Sequence, residues 1–255
     1  MNWIQRHWDA RAAANFIFGG TGSGLLLVGV FSSLKSDLLL ETSLALVALG
    51  LGAVWLEIGR KLRAIHVFFN PFTSWMTRES FAAALLFALG LPFLVFKQSY
   101  LLYGAAIAAA AFLFCQAQIL RAAKGIPAWR APQVVLLVVC TGLAEGAGAA
   151  LFFAAGTGML LVFSVAVAAR VLAWMRYRNA VKNASLQRAG GVMVWLGSTA
   201  PLLLLVLFAR SPGWAAPLAG LAALAGGWWL KYVLVTRASV NQGYALPHLP
   251  VRGAR

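Results

Sequence analysis

The chain alternates between long apolar runs and short polar segments. A helix needs roughly 20 apolar residues to cross the hydrocarbon core of a bilayer. Eight runs approach that length, and the pattern predicts a transmembrane helix in each of them. The predicted spans are residues 12–34, 38–56, 80–96, 100–120, 132–155, 157–174, 189–210 and 213–236.

The runs lack the strict period-two alternation of a transmembrane β-barrel, so the predicted fold class is all-α, a polytopic membrane bundle of eight transmembrane helices. Composition agrees, since 11% of the residues are charged whereas soluble domains carry about 25%. Residues 1–255 are expected to form one membrane domain, because no polar segment is long enough for another. Arg6 and Arg11 precede the first run as in a signal peptide, but without a persuasive cleavage site that run is interpreted as a retained helix.

The basic residues flank the apolar runs, where they set orientation in the bilayer. The net charge of +15 would suggest nucleic acid as a partner only in a soluble protein. Eighteen of the 21 Lys and Arg residues fall on one side of the predicted bundle, and Lys35, Lys97 and Arg210 fall on the other. The asymmetry predicts that both termini and the 55–79 segment face the cytoplasm.

Two glycine pairs have the small-xxx-small spacing that lets transmembrane helices approach closely. They are Gly20 with Gly24 in the first predicted span and Gly142 with Gly146 in the fifth. The GGTGSG sequence around the first pair lacks the Lys and the strand–helix context of a phosphate-binding loop. Both pairs are therefore predicted to be helix-packing sites.

Residues 55–79 form the densest polar segment of the chain. Glu57 and Glu79 bracket it, and they share one membrane depth if the connection folds back across the bundle. Quinone reduction or hydroquinone oxidation needs a group to exchange each proton, and cations to keep carboxylates ionised. The nearby cations and imidazole are Arg60, Arg63, Arg78 and His66. The alternative is that the basic residues mark the cytoplasmic face and the two glutamates are their structural ion-pair partners.

Glu145 lies near the middle of the fifth predicted span. An ionisable group costs at least roughly 2.5 kcal/mol to insert there, and such groups usually face the bundle interior or a water-filled cavity. Glu145 is therefore a candidate for a proton path or a quinone contact. The alternative is a protonated or hydrogen-bonded glutamate that ties helices together.

Haem and metal sites find no support in the sequence. A bilayer haem usually has two histidine ligands on facing helices, whereas His7, His66 and His248 lie in terminal or connecting segments. No haem is expected. Cys115 and Cys140 lie alone in apolar runs without C-x-x-C spacing, so no metal site is expected and both are predicted to be packing residues.

The C-terminal segment, 237–255, contains Pro247 and Pro250 and has no helical periodicity from Ser239 onward. It is predicted to leave the membrane extended. Two interpretations stay open, a strap for a cytoplasmic partner and an ordinary disordered tail.

Four motifs in order carry a resemblance to a known family: NFIFGGTGSGLLL, EIGR followed by RAIHVFFNPFTSWMTRE, TGLAEGAGA, and KYVLVTRASVNQGYALPHLPVRG. The chain resembles the eight-helix membrane anchor subunits of bacterial molybdenum oxidoreductases, of the dimethyl sulfoxide reductase and NrfD-like, polysulfide reductase type. Among them it looks most like anchors of cytoplasm-facing complexes such as phenylacetyl-CoA:acceptor oxidoreductase, with the sulfite-oxidising complex as another candidate.

The resemblance implies a site for a quinone, menaquinone or ubiquinone, at the face that adjoins an iron–sulfur subunit. That subunit is in turn wired to a molybdopterin catalytic subunit, and the complex sits in the bacterial inner membrane. Glu57 stands where the family usually has His or Asp, and Glu79 matches a glutamate that closes the connecting segment. Lys61 departs from the family, since the L-G-R-P-type turn has Pro there.

Residues and resemblance together predict a quinone-reactive anchor subunit in which Glu57 and Glu79 exchange the protons. The other expected contacts are Asn15, Arg60, Arg63, His66, Trp75, Arg78 and Glu145. The three arginines tune the carboxylates or hold the partner, and His66 is a secondary contact. The competing interpretations are a secondary transporter and a purely structural anchor without a quinone site.

Overall fold

The computed structural model describes residues 3–5, 8–34, 36–58, 61–208 and 213–241. Within these ranges eight helices are long and apolar enough to cross a membrane. We number them α1 to α8, and their bounds are Ala10–Phe31, Asp37–Glu57, Trp75–Phe96, Ser99–Ala122, Gln133–Ala150, Thr157–Ala180, Ala184–Leu207 and Ala215–Arg237. The predicted all-α bundle of eight helices is confirmed, and its architecture is that of a multi-pass membrane protein.

Large apolar side chains lie on the outside of these helices. Ile107 of α4, Leu161 of α6 and Leu196 of α7 are 70%, 64% and 63% exposed. Water would disfavour such a surface, whereas lipid tails are as apolar as the side chains themselves. The outer surface therefore agrees with a lipid environment.

Polar caps explain two helix starts that differ from the predicted spans. The third predicted span begins at residue 80, but α3 begins at Trp75 because the Ser74 side chain accepts a backbone hydrogen bond from the first turn. The seventh begins at residue 189, but α7 begins at Ala184 because Asn183 caps it in the same way. These caps lie in polar sequence outside the apolar runs, so hydropathy alone starts both helices too late.

The helices form two groups of four with matching contacts. In the first group α1 packs against α2 and α4, and α3 packs against α4. In the second group α5 packs against α6 and α8, and α7 packs against α8. The central helices α1 and α5 pack on each other and join the two groups.

Glycine lets α1 and α5 approach to backbone contact. A Cβ atom on Gly24 would overlap the carbonyl group of Gly142, and a Cβ atom on Gly146 would overlap the backbone of Gly24. A Cβ atom on Gly142 would lie 3.1 Å from the carbonyl oxygen of Gly20. The packing role predicted for both glycine pairs is confirmed.

Three of the helices contain a π-helical turn within the described residues. The turns are Asn15–Gly19 in α1, Trp195–Thr199 in α7 and Val233–Arg237 in α8. A π turn replaces the i→i−4 hydrogen bonds of the helix with i→i−5 bonds, and such turns are frequent at functional sites. The apolar pattern of the sequence did not predict them.

One end of the bundle, which we call the basic end, is where α1, α3, α5 and α7 begin and α2, α4, α6 and α8 end. The connection between α2 and α3 contains the 3₁₀-helix Lys61–Phe69. A one-turn helix, Pro127–Arg130, precedes α5. Strand β1 (Trp3–Ile4) pairs antiparallel with strand β2 (Val240–Asn241), so the two ends of the described chain meet here.

The C-terminal segment therefore starts differently from its prediction. Arg237 still belongs to α8, and the extended backbone of Val240–Asn241 pairs with the chain's own N-terminal segment. Gln5 adds a backbone hydrogen bond of 3.0 Å to the carbonyl oxygen of Ser239. Residues 242–255 lie outside the described residues, and their role as a strap stays a prediction.

Two basic residues assigned above to the cytoplasmic side lie inside the bundle. Arg170 of α6 is fully buried, and Lys231 of α8 is 2% exposed. Both occur in windows apolar enough to pass as spans, so the charge count placed them wrongly at the membrane surface. Without these two, the count from the sequence is sixteen basic residues against three, so the predicted asymmetry remains.

Candidate functional site

A cavity of about 380 Å³ lies at the basic end of the first helix group. Its walls come from Trp8 and the start of α1, the end of α2 and the residue after it, the start of α3 and the end of α4. The lining residues are Trp8, Ala12, Asn15, Phe16, Val54, Glu57, Ile58, Met76, Glu79 and Ile119. Most of them are apolar, and two carboxyl groups and one amide supply the polar side chains.

Glu79 is the buried carboxyl group of this cavity. It lies one turn inside α3 and is 6% exposed, which follows from the early start of that helix at Ser74. The Asn15 side chain donates a hydrogen bond from Nδ2 to Glu79 Oε1 at 3.0 Å. Asn15 thus joins α1 to α3 and supplies the polar partner that a buried carboxyl group requires.

Glu57 is the half-buried carboxyl group of the cavity and ends α2. Charged side chains from the start of α1 lie beside that helix end. Arg11 donates a hydrogen bond of 3.3 Å to the carbonyl oxygen of Leu56. It also forms an ion pair with Asp9, with 2.8 Å between the charged atoms. The Arg11 hydrogen bonds hold the pKa of the Asp9 carboxyl below its ordinary value. Glu57 therefore lies between the apolar cavity and a charged, partly exposed rim.

The π turn of α1 is held by side chains that bond three consecutive carbonyl groups. Gln116 of α4 donates from Nε2 to Asn15 O at 2.8 Å. Lys231 of α8 donates from Nζ to Phe16 O at 2.9 Å. The Thr21 hydroxyl, which has one hydrogen to donate, lies 2.8 Å from Ile17 O. These contacts give side-chain partners to carbonyl oxygens of the turn, and Ile17 O also accepts from the backbone N–H of Gly20.

Lys231 also forms a fully buried ion pair with Glu145. Its Nζ atom lies 2.6 Å from Glu145 Oε2, and the two side chains are 3% and 0% exposed. Thr21 approaches the same carboxyl oxygen at 2.9 Å. Glu145 therefore binds helices α1, α5 and α8 together, and among the described residues it contacts neither Glu57 nor Glu79.

Arg170 forms a second buried polar cluster in the other helix group. It donates to Ala223 O at 2.9 Å, to Ser198 Oγ at 3.0 Å and to the carbonyl oxygen of Gly197. Gly197 belongs to the π turn of α7. A buried cation thus bonds a π-turn carbonyl in each helix group.

Several predicted site residues lie outside the cavity. Arg78 donates to Pro71 O at 2.9 Å and packs over the Trp75 ring at 4.2 Å. His66 is exposed and packs edge-on against Phe69. None of the three predicted contacts Trp75, Arg78 and His66 lines the described cavity. Arg60 and the side chain of Arg63 lie outside the described residues.

Sequence reasoning missed Gln116, Lys231 and Arg170. Gln116 stands in an alanine-rich helix where a single amide does not change the hydropathy. A usable signal was present for the two cations, because Glu145 inside a span requires a compensating charge and Lys231 and Arg170 are basic residues inside predicted apolar helices. Pairing opposite charges across spans would have found Lys231.

No protein-family model matches the chain, and no curated protein sequence matches it. The family resemblance drawn from the motifs accordingly stays a prediction.

Proposed function

We propose that this chain is the membrane anchor and quinone-reactive subunit of an oxidoreductase complex. It exchanges electrons between an iron–sulfur partner subunit and a membrane quinone, and a molybdopterin catalytic subunit completes the complex. The observation that carries the proposal is a cavity with mostly apolar walls, at the basic end of the bundle, that both Glu57 and Glu79 line.

The cavity suits a quinone head group in size and lining. Small-molecule sites commonly have volumes of about 300–1,000 Å³, apolar walls and a few placed polar groups. The cavity of about 380 Å³ lies in that range. Trp8 and Phe16 stack with their ring centroids 6.0 Å apart and give it an aromatic wall. A flat ring with an oxygen at each end fits between this wall and the polar side chains.

The two carboxyl groups supply the proton chemistry. Quinone reduction takes up two electrons and two protons, and hydroquinone oxidation releases both. Glu79, held by Asn15, exchanges a proton inside the apolar space. Glu57, at the rim beside Asp9 and Arg11, exchanges protons between the cavity and water.

The electrons require a partner, because the proposed quinone site contains no redox group among its side chains. The basic end is the surface on which an iron–sulfur subunit docks in this proposal, since the sequence assigns sixteen basic residues to the segments of that side. The family motifs support the same arrangement, with the catalytic subunits on the cytoplasmic side of a bacterial inner membrane. Orientation follows from the excess of Lys and Arg.

Two observations favour a second candidate, a secondary transporter. Glu145, Lys231 and Arg170 are ionisable groups buried within spans, as expected of ion or substrate pathways. The matching contacts of the two helix groups also agree with an internal repeat.

Purification from the native membrane in mild detergent separates these functions. The proposed quinone-reactive anchor retains an iron–sulfur subunit, measured as protein-bound iron, and yields quinone on solvent extraction. A transporter yields no iron. A purely structural anchor yields iron without quinone, and either of these two results would overturn the proposal.

A further inference from the structure

The π turn of α1 determines which side chains of that helix reach the cavity. Ala12, before the turn, and Asn15, the first residue of the turn, line the cavity. After the turn, Gly20 lies against α8 and Gly24 lies against α5. The turn adds one residue to the helix, and each residue of an α-helix turns the chain by about 100°. If α1 were α-helical throughout, Asn15 would point about that far from Glu79 while the glycines kept their contacts.

Lys231 supplies a charged hydrogen-bond donor to this turn. Its ammonium group is buried, donates to Phe16 O at 2.9 Å and is neutralised by Glu145 at 2.6 Å. A hydrogen bond from a buried charged donor is stronger than a neutral one. Lys231 does not line the cavity, and its contact with the helix that carries Asn15 is the hydrogen bond to Phe16 O.

We infer that Lys231 is a positioning residue for the candidate site. By holding the π turn through Phe16 O, it keeps the Asn15 amide on the Glu79 carboxyl group. Glu145 neutralises the buried ammonium group, whereas the contact with Phe16 O belongs to the Lys231 nitrogen itself. The consequence for quinone binding rests on the proposed function, whereas the placement of Asn15 on Glu79 does not.

Two matched variants isolate Lys231. Glu145→Gln removes the buried negative charge but leaves the Lys231 donor to Phe16 O. The double variant Glu145→Gln with Lys231→Met removes the donor as well and leaves no unpaired carboxylate. The double variant differs from the single variant by the bond to the π turn and by the charge on Lys231, and the Gly20→Ala variant below, which keeps both charges, separates the two.

The reactivity of the Glu79 carboxyl group is measured with dicyclohexylcarbodiimide, an apolar reagent that modifies carboxyl groups inside membrane proteins. The rate of Glu79 modification in the purified chain is followed by peptide mass spectrometry. Release of Asn15 frees Oε1 of Glu79 for attack, so modification should be about tenfold faster in the double variant than in Glu145→Gln, the factor expected for one hydrogen bond to a charged group. Equal rates would overturn the inference.

A second perturbation keeps both charges. A Cβ atom on Gly20 would overlap Lys231 Nζ, so Gly20→Ala displaces the ammonium group from Phe16 O. Gly158→Ala is its matched control, because a Cβ atom there meets nothing within 4 Å. Faster Glu79 modification in Gly20→Ala than in Gly158→Ala supports the inference even if the double variant does not fold, and equal rates contradict it.

Binding of a short-chain quinone analogue to the same proteins separates this inference from the proposed function. If the wild-type chain binds no analogue, the proposed function fails while the carbodiimide rates still decide the role of Lys231. If it binds the analogue and all variants bind equally with unchanged Glu79 modification, the inference fails and the proposed function stands.

Discussion

The side-chain amide of Asn15 donates a hydrogen bond of 3.0 Å to the carboxyl group of Glu79 and so joins α1 to α3 inside the cavity. The bond is buried on both sides, since Asn15 is 5% and Glu79 6% exposed. A buried carboxyl group keeps a defined position only when a partner satisfies it. The relationship identifies Glu79 as the most constrained acid of the candidate site.

Replacing Asn15 tests this relationship. Asn15→Leu keeps the approximate size of the side chain and removes the donor, so quinone-linked turnover in isolated membranes should fall about tenfold. Asn183→Ala serves as the control, because it removes a helix cap, which costs about 1 kcal/mol, in α7 and away from the cavity. Equal losses in both variants would show that Asn15 contributes only stability.

Glu57 has a natural control on the same helix. Glu57→Gln should slow quinone-linked turnover by about 10²-fold or more, the usual contribution of a general acid or base. Glu41 of α2 is exposed and lies toward the opposite end, so Glu41→Gln should leave turnover unchanged. A normal rate in Glu57→Gln would remove this residue from the proton chemistry.

The glycine contact between α1 and α5 predicts a stability difference between two glycine positions. Gly24→Ala places a methyl group on the backbone of Gly142 and should destabilise the bundle by about 1–3 kcal/mol. Gly191→Ala meets nothing within 4 Å and should be neutral or slightly stabilising. Thermal unfolding in detergent measures both, and equal midpoints would mean that α1 and α5 are not in backbone contact.

The C-terminal prediction can be tested without disturbing the described fold. Truncation after Asn241 removes residues 242–255 but keeps the β1–β2 pairing. If that segment is the strap for the iron–sulfur subunit, the truncated chain should assemble in the membrane and lose bound iron on purification. Iron retained at the wild-type ratio would eliminate the strap.

Most of the fold could be predicted from the sequence, because bilayer thickness sets the length of a transmembrane helix and the hydropathy pattern shows runs of that length directly. The close approach at Gly24 was also predictable, since only glycine permits it. Asn15, Glu57 and Glu79 could be brought together by assuming that the first and third spans begin, and the second span ends, at the same end of the bundle.

The rest depended on contacts that no local pattern records. The π turn at Asn15–Gly19 is stabilised by Lys231, 215 residues away from its acceptor in the chain. Lys231 and Arg170 look like surface cations because one charge scarcely changes the hydropathy of a span. The early start of α3 came from Ser74, a polar cap invisible to an apolar-run criterion.

In the proposed function Glu79 exchanges a proton with the quinone and does not hold the complex together, and Glu79→Gln distinguishes these two roles. The variant keeps the shape of the side chain and removes its ability to exchange a proton. Turnover of the intact complex is measured with quinone and, in parallel, with an artificial dye that accepts electrons from the soluble subunits. Quinone-linked turnover is expected to fall by at least about 10²-fold while dye-linked turnover and bound iron stay at wild-type levels. Unchanged quinone-linked turnover, or an equal loss of both activities together with the bound iron, would contradict it.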